Sequence, residues 1–187
     1  MTIDERDSMA PHGPESFTWD EVAPGLFQGD FPEGAVDWGQ FDDVVTMSQM
    51  APSPRLGADG LWLHVPIPDA DMDDPDAVRQ AARVVAERVG AGRRVLVHCW
   101  AGLNRSGVVS ARALMYLGMP VAEAVAAVRA ARGPVALFNR AFVEWLYAEG
   151  GEPVPASERR RGWYEDEATG PASDPDDGPP SEPADAA

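Results

Sequence analysis

The run Val95-Leu96-Val97-His98 leads directly into the chain's single cysteine, Cys99, and then through Trp100-Ala101-Gly102-Leu103-Asn104 to Arg105-Ser106-Gly107. Val95 to His98 has the length and the valine-rich apolar character of a buried strand. Beyond Ser106, Val108, Val109, Ala111, Leu114 and Met115 recur at helical spacing. The chain must therefore pass from strand to helix within Cys99–Arg105. A strand without polar alternation is covered on both faces, as central strands of parallel sheets are.

The flanking sequence fits that architecture. Apolar strand candidates lie at 26–28, 44–47, 61–65 and 94–98, and helical periods at 75–89, 107–117, 121–131 and 139–149. Val78, Ala81, Ala82, Val85 and Val89 mark one buried helical face, and Asp74-Pro75 reads as an N-cap followed by proline in the first helical position, with Asp73 sharing the capping role. Strands separated by helices predict a single α/β domain with a mostly parallel central sheet flanked by helices in three layers. In such a sheet the loop after Val95–His98 sits at a strand's carboxyl end, where open α/β sheets bind ligands. The domain is expected to span 19–150, a length sufficient for one well-buried core. Residues 1–18 and the acidic, proline-rich 151–187 lack periodicity and are expected to be disordered.

A strand-to-helix loop of this composition has two chemical consequences. Backbone N–H groups turned inward around Gly102 and at the helix start form a nest for an anion, helped by the positive end of the helix dipole. The same field favours thiolate over thiol at Cys99. Arg105 adds a planar fork of donors that grips two oxygens of a phosphate and stabilises the charge of an in-line displacement, which a lysine point charge does less well.

At these residues the chain resembles the cysteine-dependent protein tyrosine phosphatases, whose signature His-Cys-x-x-Gly-x-x-Arg-Ser/Thr is filled by His98, Cys99, Gly102, Arg105 and Ser106. Trp100, Ala101, Leu103 and Asn104 complete the phosphate-binding loop that the resemblance implies. It also implies Cys99 as nucleophile, Arg105 as phosphate ligand, Ser106 as the hydroxyl that eases departure of the sulfur, and His98 as a support behind the loop. Taken alone, Ser106 also reads as a helix N-cap. Trp100, next to the nucleophile, is placed to line the pocket wall. Asn104 is an uncommon residue before the arginine and resembles the RNA 5′-triphosphatase branch of the same superfamily.

In-line attack by a thiolate on a phosphotyrosine ester needs an acid to protonate the leaving oxygen. Leu61-Trp62-Leu63-His64-Val65-Pro66-Ile67-Pro68-Asp69 is similar to the strand and loop that carry this acid in the compact dual-specificity phosphatases, and Asp69 stands 30 residues before Cys99. The resemblance implies Asp69 as general acid, then general base for the second step, with Asp71 as the alternative. Gly25-Leu26-Phe27-Gln28-Gly29, Asp43-Val44-Val45-Thr46-Met47 and the passage from Arg132 to Phe142 extend the likeness over most of 19–150. The insert that recognises phosphotyrosine in the large tyrosine phosphatases is not apparent, which favours the compact branch.

Charge bears on substrate and compartment. The net charge is −16, of which −6 belongs to residues 19–150, and this opposes polyanionic partners such as nucleic acid. One cysteine excludes an internal disulfide, the start Met1-Thr2-Ile3-Asp4-Glu5-Arg6-Asp7 has no apolar signal core, and no uncharged apolar run approaches the ~18 residues of a membrane span. The expectation is a cytoplasmic, monomeric protein that needs no cofactor or metal and meets neither membrane nor nucleic acid. Its partner is a phosphoprotein carrying phosphotyrosine, with phosphoserine and phosphothreonine as further substrates. Two alternatives stand beside that reading: the same chemistry on a phosphoinositide, nucleotide or RNA 5′-end, and an inactive phosphate-binding module.

Overall fold

A computed structural model describes residues 17–32 and 36–159. Five strands, β1 (Trp19–Ala23), β2 (Leu26–Gly29), β3 (Asp43–Thr46), β4 (Trp62–His64) and β5 (Val95–His98), form one sheet in the order β1-β2-β5-β3-β4. The pairs among β2, β5, β3 and β4 are parallel, and only β1 runs antiparallel, hairpinned to β2. Of four long helices, α1 (Pro75–Gly90) lies between β4 and β5, and α2 (Arg105–Tyr116), α3 (Val121–Arg132) and α4 (Arg140–Gly150) come after β5; a short α5 (Ala156–Arg159) closes the described chain.

The two faces of the sheet are covered differently. Side chains alternate along a strand, so Leu26, Val45, Val95 and Val97 join the buried faces of α1 to α4 in one large core, while Phe27, Val44 and Leu96 point the other way. On that second face Phe41 and the half-buried Phe17, Trp19, Trp38 and Leu56 close over them, with a 3-10 turn at Trp38–Gln40. Tilted and edge-on ring contacts, such as Trp19 with Phe41 and Phe27 with Phe41, both 5.6 Å between centroids, knit this layer. Aromatic area per residue is large enough for a few rings to do here what long helices do on the first face.

Helix α1 opens as its sequence demands. The Asp74 carboxylate accepts from Ala77 N–H at 2.9 Å with Pro75 in the first turn, and Asp73 takes no part in that bond. At the other end of the sheet, Asp43 is 1% exposed and receives Arg88 and Arg93 together with Leu61 N–H. Burial alone would raise its pKa. The donors from Arg93, Arg88 and Leu61 overcome it and hold the carboxyl at about 2.

Three elements depart from the sequence reading. Strand β1 was not expected, because Asp20 and Glu21 interrupt any apolar pattern; as an edge strand it needs only one paired side. Helix α2 starts at Arg105, two residues before the predicted 107, so Ser106 lies inside the helix and is not its N-cap. The start of the segment predicted as a disordered tail is also corrected: Val154 packs on the core, and Glu158 of α5 takes a bidentate pair from Arg129 at 2.7 and 2.9 Å. The rest of that segment, and residues 1–16, lie outside the described residues.

Candidate active site

Strand β5 delivers Cys99 to the centre of the sheet's carboxyl edge, between β2 and β3, and α2 begins six residues later with Arg105. Cys99 and Arg105 are both 1% exposed, and the Cys99 sulfur stands 3.2 Å from Ser106 Oγ. The sulfur and the hydroxyl therefore meet across the loop.

The loop is shaped from outside. Trp100 C=O accepts from Phe31 N–H at 2.8 Å, Gly102 C=O from Gln28 Nε2 at 2.9 Å and Arg132 Nε at 3.2 Å, and Leu103 C=O from Leu137 N–H at 3.2 Å. Across a trans peptide the next N–H points opposite to the carbonyl, so the N–H groups of Ala101, Leu103 and Asn104 face the concave side. That is an anion nest at the start of a helix of 12 residues. Gly102 has φ +68°, and an added Cβ would lie 2.6 Å from Gly29 C and 2.7 Å from Asp30 N. The backbone of β2 thus passes so close that only glycine fits.

Behind the loop, His98 is fully buried and its Nε2 lies 2.8 Å from Thr46 Oγ1, which also accepts from Trp62 Nε1 at 3.2 Å. Burial pushes the His98 pKa down to about 3, so the ring is neutral at neutral pH, and its hydrogen bond ties β5 to Thr46 on β3. The ring carries no charge to share with the sulfur. Trp100, the residue after Cys99, stacks on Phe31 with ring centroids 5.4 Å apart and an interplanar angle of 26°.

Asp69 is half-buried and Asp71 exposed. The two oxygens of Asp69 accept from Asn139 Nδ2 at 3.0 Å and Asn104 Nδ2 at 3.1 Å, which ties this carboxyl to the residue that precedes Arg105. Asp71 and Asp69 both line an open cleft of about 360 Å³ with Phe138, Asn139 and Arg140. Ala101 is exposed and Leu103 half-buried, at the rim of the loop. Among the described residues no three His, Cys, Asp or Glu side chains gather as a metal site requires, and no helix is long and apolar enough to cross a membrane.

Several contributors escape sequence reasoning. Gln28, Phe31, Thr46, Arg132 and Asn139 come from β2, the turn after it, β3, α3 and the start of α4. Asn139 carries a readable signal, since its position before a helical period marks an N-cap, and its Oδ1 does accept from Ala141 N–H at 3.0 Å. Its second duty, toward Asp69, has no local signature.

Comparison with known proteins places this geometry. The dual specificity phosphatase catalytic domain matches residues 40–150, more than half of the chain. Human DUSP28 is similar over 71% of this chain and 95% of its own, at 28% identity and a TM-score of 0.60. A mouse dual specificity phosphatase described as putative and crystallised with zinc tungstate is similar over 79% of this chain and 98% of its own, at 25% identity and a TM-score of 0.58. Tk-PTP in its active form is similar over 76% and 97%, at 27% identity and a TM-score of 0.57. No curated protein gives a significant sequence match. A family match spanning β3, β4 and β5, the loop and all four long helices, on a chain that keeps the cysteine, leads to one conclusion: this protein belongs to the dual specificity phosphatase family and is a cysteine-dependent protein phosphatase.

Proposed function

We propose that the protein hydrolyses phosphotyrosine, and phosphoserine or phosphothreonine as well, through a cysteinyl-phosphate intermediate. The observation that carries this reading is the approach of Ser106 Oγ to the Cys99 sulfur inside a loop whose Trp100, Gly102 and Leu103 carbonyls are engaged on its outer side. The phosphate dianion enters the nest and is gripped by Arg105. The Cys99 thiolate attacks phosphorus in line with the ester oxygen. As the P–O bond breaks, Asp69 gives its proton to the leaving oxygen, and the first product departs. In the second step Asp69, now ionised, takes a proton from water, whose oxygen attacks phosphorus. The S–P bond breaks and the electron pair returns to sulfur, where the Ser106 hydroxyl donates to the thiolate that forms. Inorganic phosphate leaves and Asp69 again holds the proton.

The aromatic pair Trp100 and Phe31 favours a phenyl ester over a free phosphate chain at the mouth of the site. The net charge of −16 weighs against RNA and phosphoinositide substrates.

Two measurements test this. With divalent metals chelated, the protein releases phosphate from p-nitrophenyl phosphate, and Cys99→Ser removes turnover while retaining phosphate binding. A panel of phosphopeptides, phosphoinositides and 5′-triphosphorylated RNA then ranks the phosphotyrosine peptides first. Retention of more than a few per cent of turnover in the Cys99 variant refutes the nucleophile, and faster turnover of lipid or RNA refutes the substrate class.

A further inference from the structure

Asn104 stands at the N-cap of α2 but does not cap it. Its backbone, at φ −98° and ψ −67°, is helical where a capping residue is extended, and its side chain makes no cap bond. An asparagine is 1% exposed at this place, with its amide turned to other partners. Oδ1 accepts from Asn139 N–H at 3.1 Å, and Nδ2 donates to Asp69 Oδ2 at 3.1 Å. The amide orientations follow from the partners and leave no freedom to flip. Asn139 Oδ1 must face the N–H groups of Ala141 and Phe142 that it caps, so its Nδ2 is forced toward Asp69 Oδ1, at 3.0 Å, and Ala70 C=O, at 2.8 Å. Asn104 Oδ1 must face Asn139 N–H, so its own Nδ2 is forced toward the other oxygen of Asp69.

We propose that Asn104 and Asn139 are positioning residues for the general acid, a pair of amide donors that fixes the Asp69 carboxyl and its loop against the start of the helix bearing Arg105 and Ser106. This rests on Asp69 being that acid. The loop needs such a clamp. Ile67 N–H is tied to Met47 C=O before it, and Asp74 begins α1 after it. Between those anchors, Pro68, Ala70 and Asp71 are exposed, and the two asparagines reach Asp69 from the N-cap positions of two separate helices. Acid catalysis falls steeply when the donor is displaced by about 1 Å, so two fixed hydrogen bonds on one carboxyl set the rate without either amide touching substrate.

Isosteric Asn→Asp changes test the clamp. Asn104→Asp keeps the acceptor for Asn139 N–H and Asn139→Asp keeps the cap of α4, but each replaces an N–H facing Asp69 with a charged oxygen. With phenyl phosphate, whose leaving group is poor, each variant is expected to lose about 10–10² in kcat/KM, within the range of positioned acid catalysis. With 2,4-dinitrophenyl phosphate the loss shrinks, and for Asn139→Asp, which lies outside the phosphate-binding loop, it falls to a few-fold while inhibition by inorganic phosphate stays within a few-fold of wild type. Added to Asp69→Asn, either change costs little more. Equal losses on both substrates in both variants, or collapse of phosphate affinity in Asn139→Asp, overturn the proposal and assign the asparagines to loop folding. Asp69→Asn run alongside separates the two layers of the argument. If it lacks leaving-group dependence, the acid assignment fails; if it shows the dependence and both asparagine variants lack it, the clamp alone fails.

Discussion

Replacing Gly102 by alanine tests the shape of the phosphate-binding loop at its tightest point. The φ of +68° costs a residue with a Cβ about 1–2 kcal/mol. The new methyl would also meet Gly29 C at 2.6 Å and Asp30 N at 2.7 Å, against ordinary carbon contacts of about 3.5–4.0 Å. Arg132 Nη2, 2.7 Å away, is a flexible tip and can retreat. The β2 backbone cannot, because Gly29 is held in register opposite His98 within the sheet. The loop must therefore move by roughly 1 Å, which carries it away from Gln28 Nε2 and from the Cys99–Arg105 arrangement; a displacement of that size costs about 10²-fold in rate. With the backbone strain and clash combined, the expected loss of stability is about 2–4 kcal/mol. Denaturant unfolding of Gly102→Ala reads the second quantity, and kcat/KM with p-nitrophenyl phosphate under conditions where the variant is fully folded reads the first. A folded variant with kcat/KM within threefold of wild type would refute the argument that the loop's geometry depends on this close approach.

Other consequences follow from single contacts. Asp69→Asn should lower kcat/KM for phenyl phosphate by about 10²–10⁴, with a smaller loss in the phosphorylation step for an ester of a very acidic phenol and a flattened basic limb of the pH profile; Asp71→Asn should show neither, and the reverse pattern would move the acid by two residues. His98, whose folded pKa of about 3 lies below its ordinary 6.5, is neutral in the native state while the unfolded chain takes up a proton. Stability should therefore fall as pH drops from about 6.5 toward 3, by up to about 1.4 kcal/mol per pH unit. His98→Gln should flatten that slope between pH 6 and 4.5, and an unchanged slope contradicts the buried neutral ring. Glu158→Gln, which removes the charge that Arg129 grips at 10% and 12% side-chain exposure, should cost about 1–2 kcal/mol. An unaltered unfolding midpoint would show that α5 adds nothing to the fold.

Contiguous sequence carried the reading wherever the physics is local. The strand, the loop and the first turns of α2 are encoded within Val95–Met115, because valine spacing, a glycine for the left-handed turn and the switch to helical period are all properties of neighbouring residues. The four long helices and the parallel character of the sheet were legible for the same reason, as was the cap at Asp74. What the chain order does not contain is which distant residues stand around the loop. Gln28 and Phe31 reach it because β2 pairs with β5 on one side, Thr46 because β3 pairs on the other, Arg132 because α3 ends beside it and Asn139 because α4 begins there. Strand β1 was illegible because an edge strand buries little and tolerates Asp20 and Glu21. The double role of Asn139, cap of one helix and donor to Asp69, arises only when the segments around 69, 104 and 139 converge. A side chain's local role follows from its neighbours in sequence, whereas its second partner is set by packing across the fold.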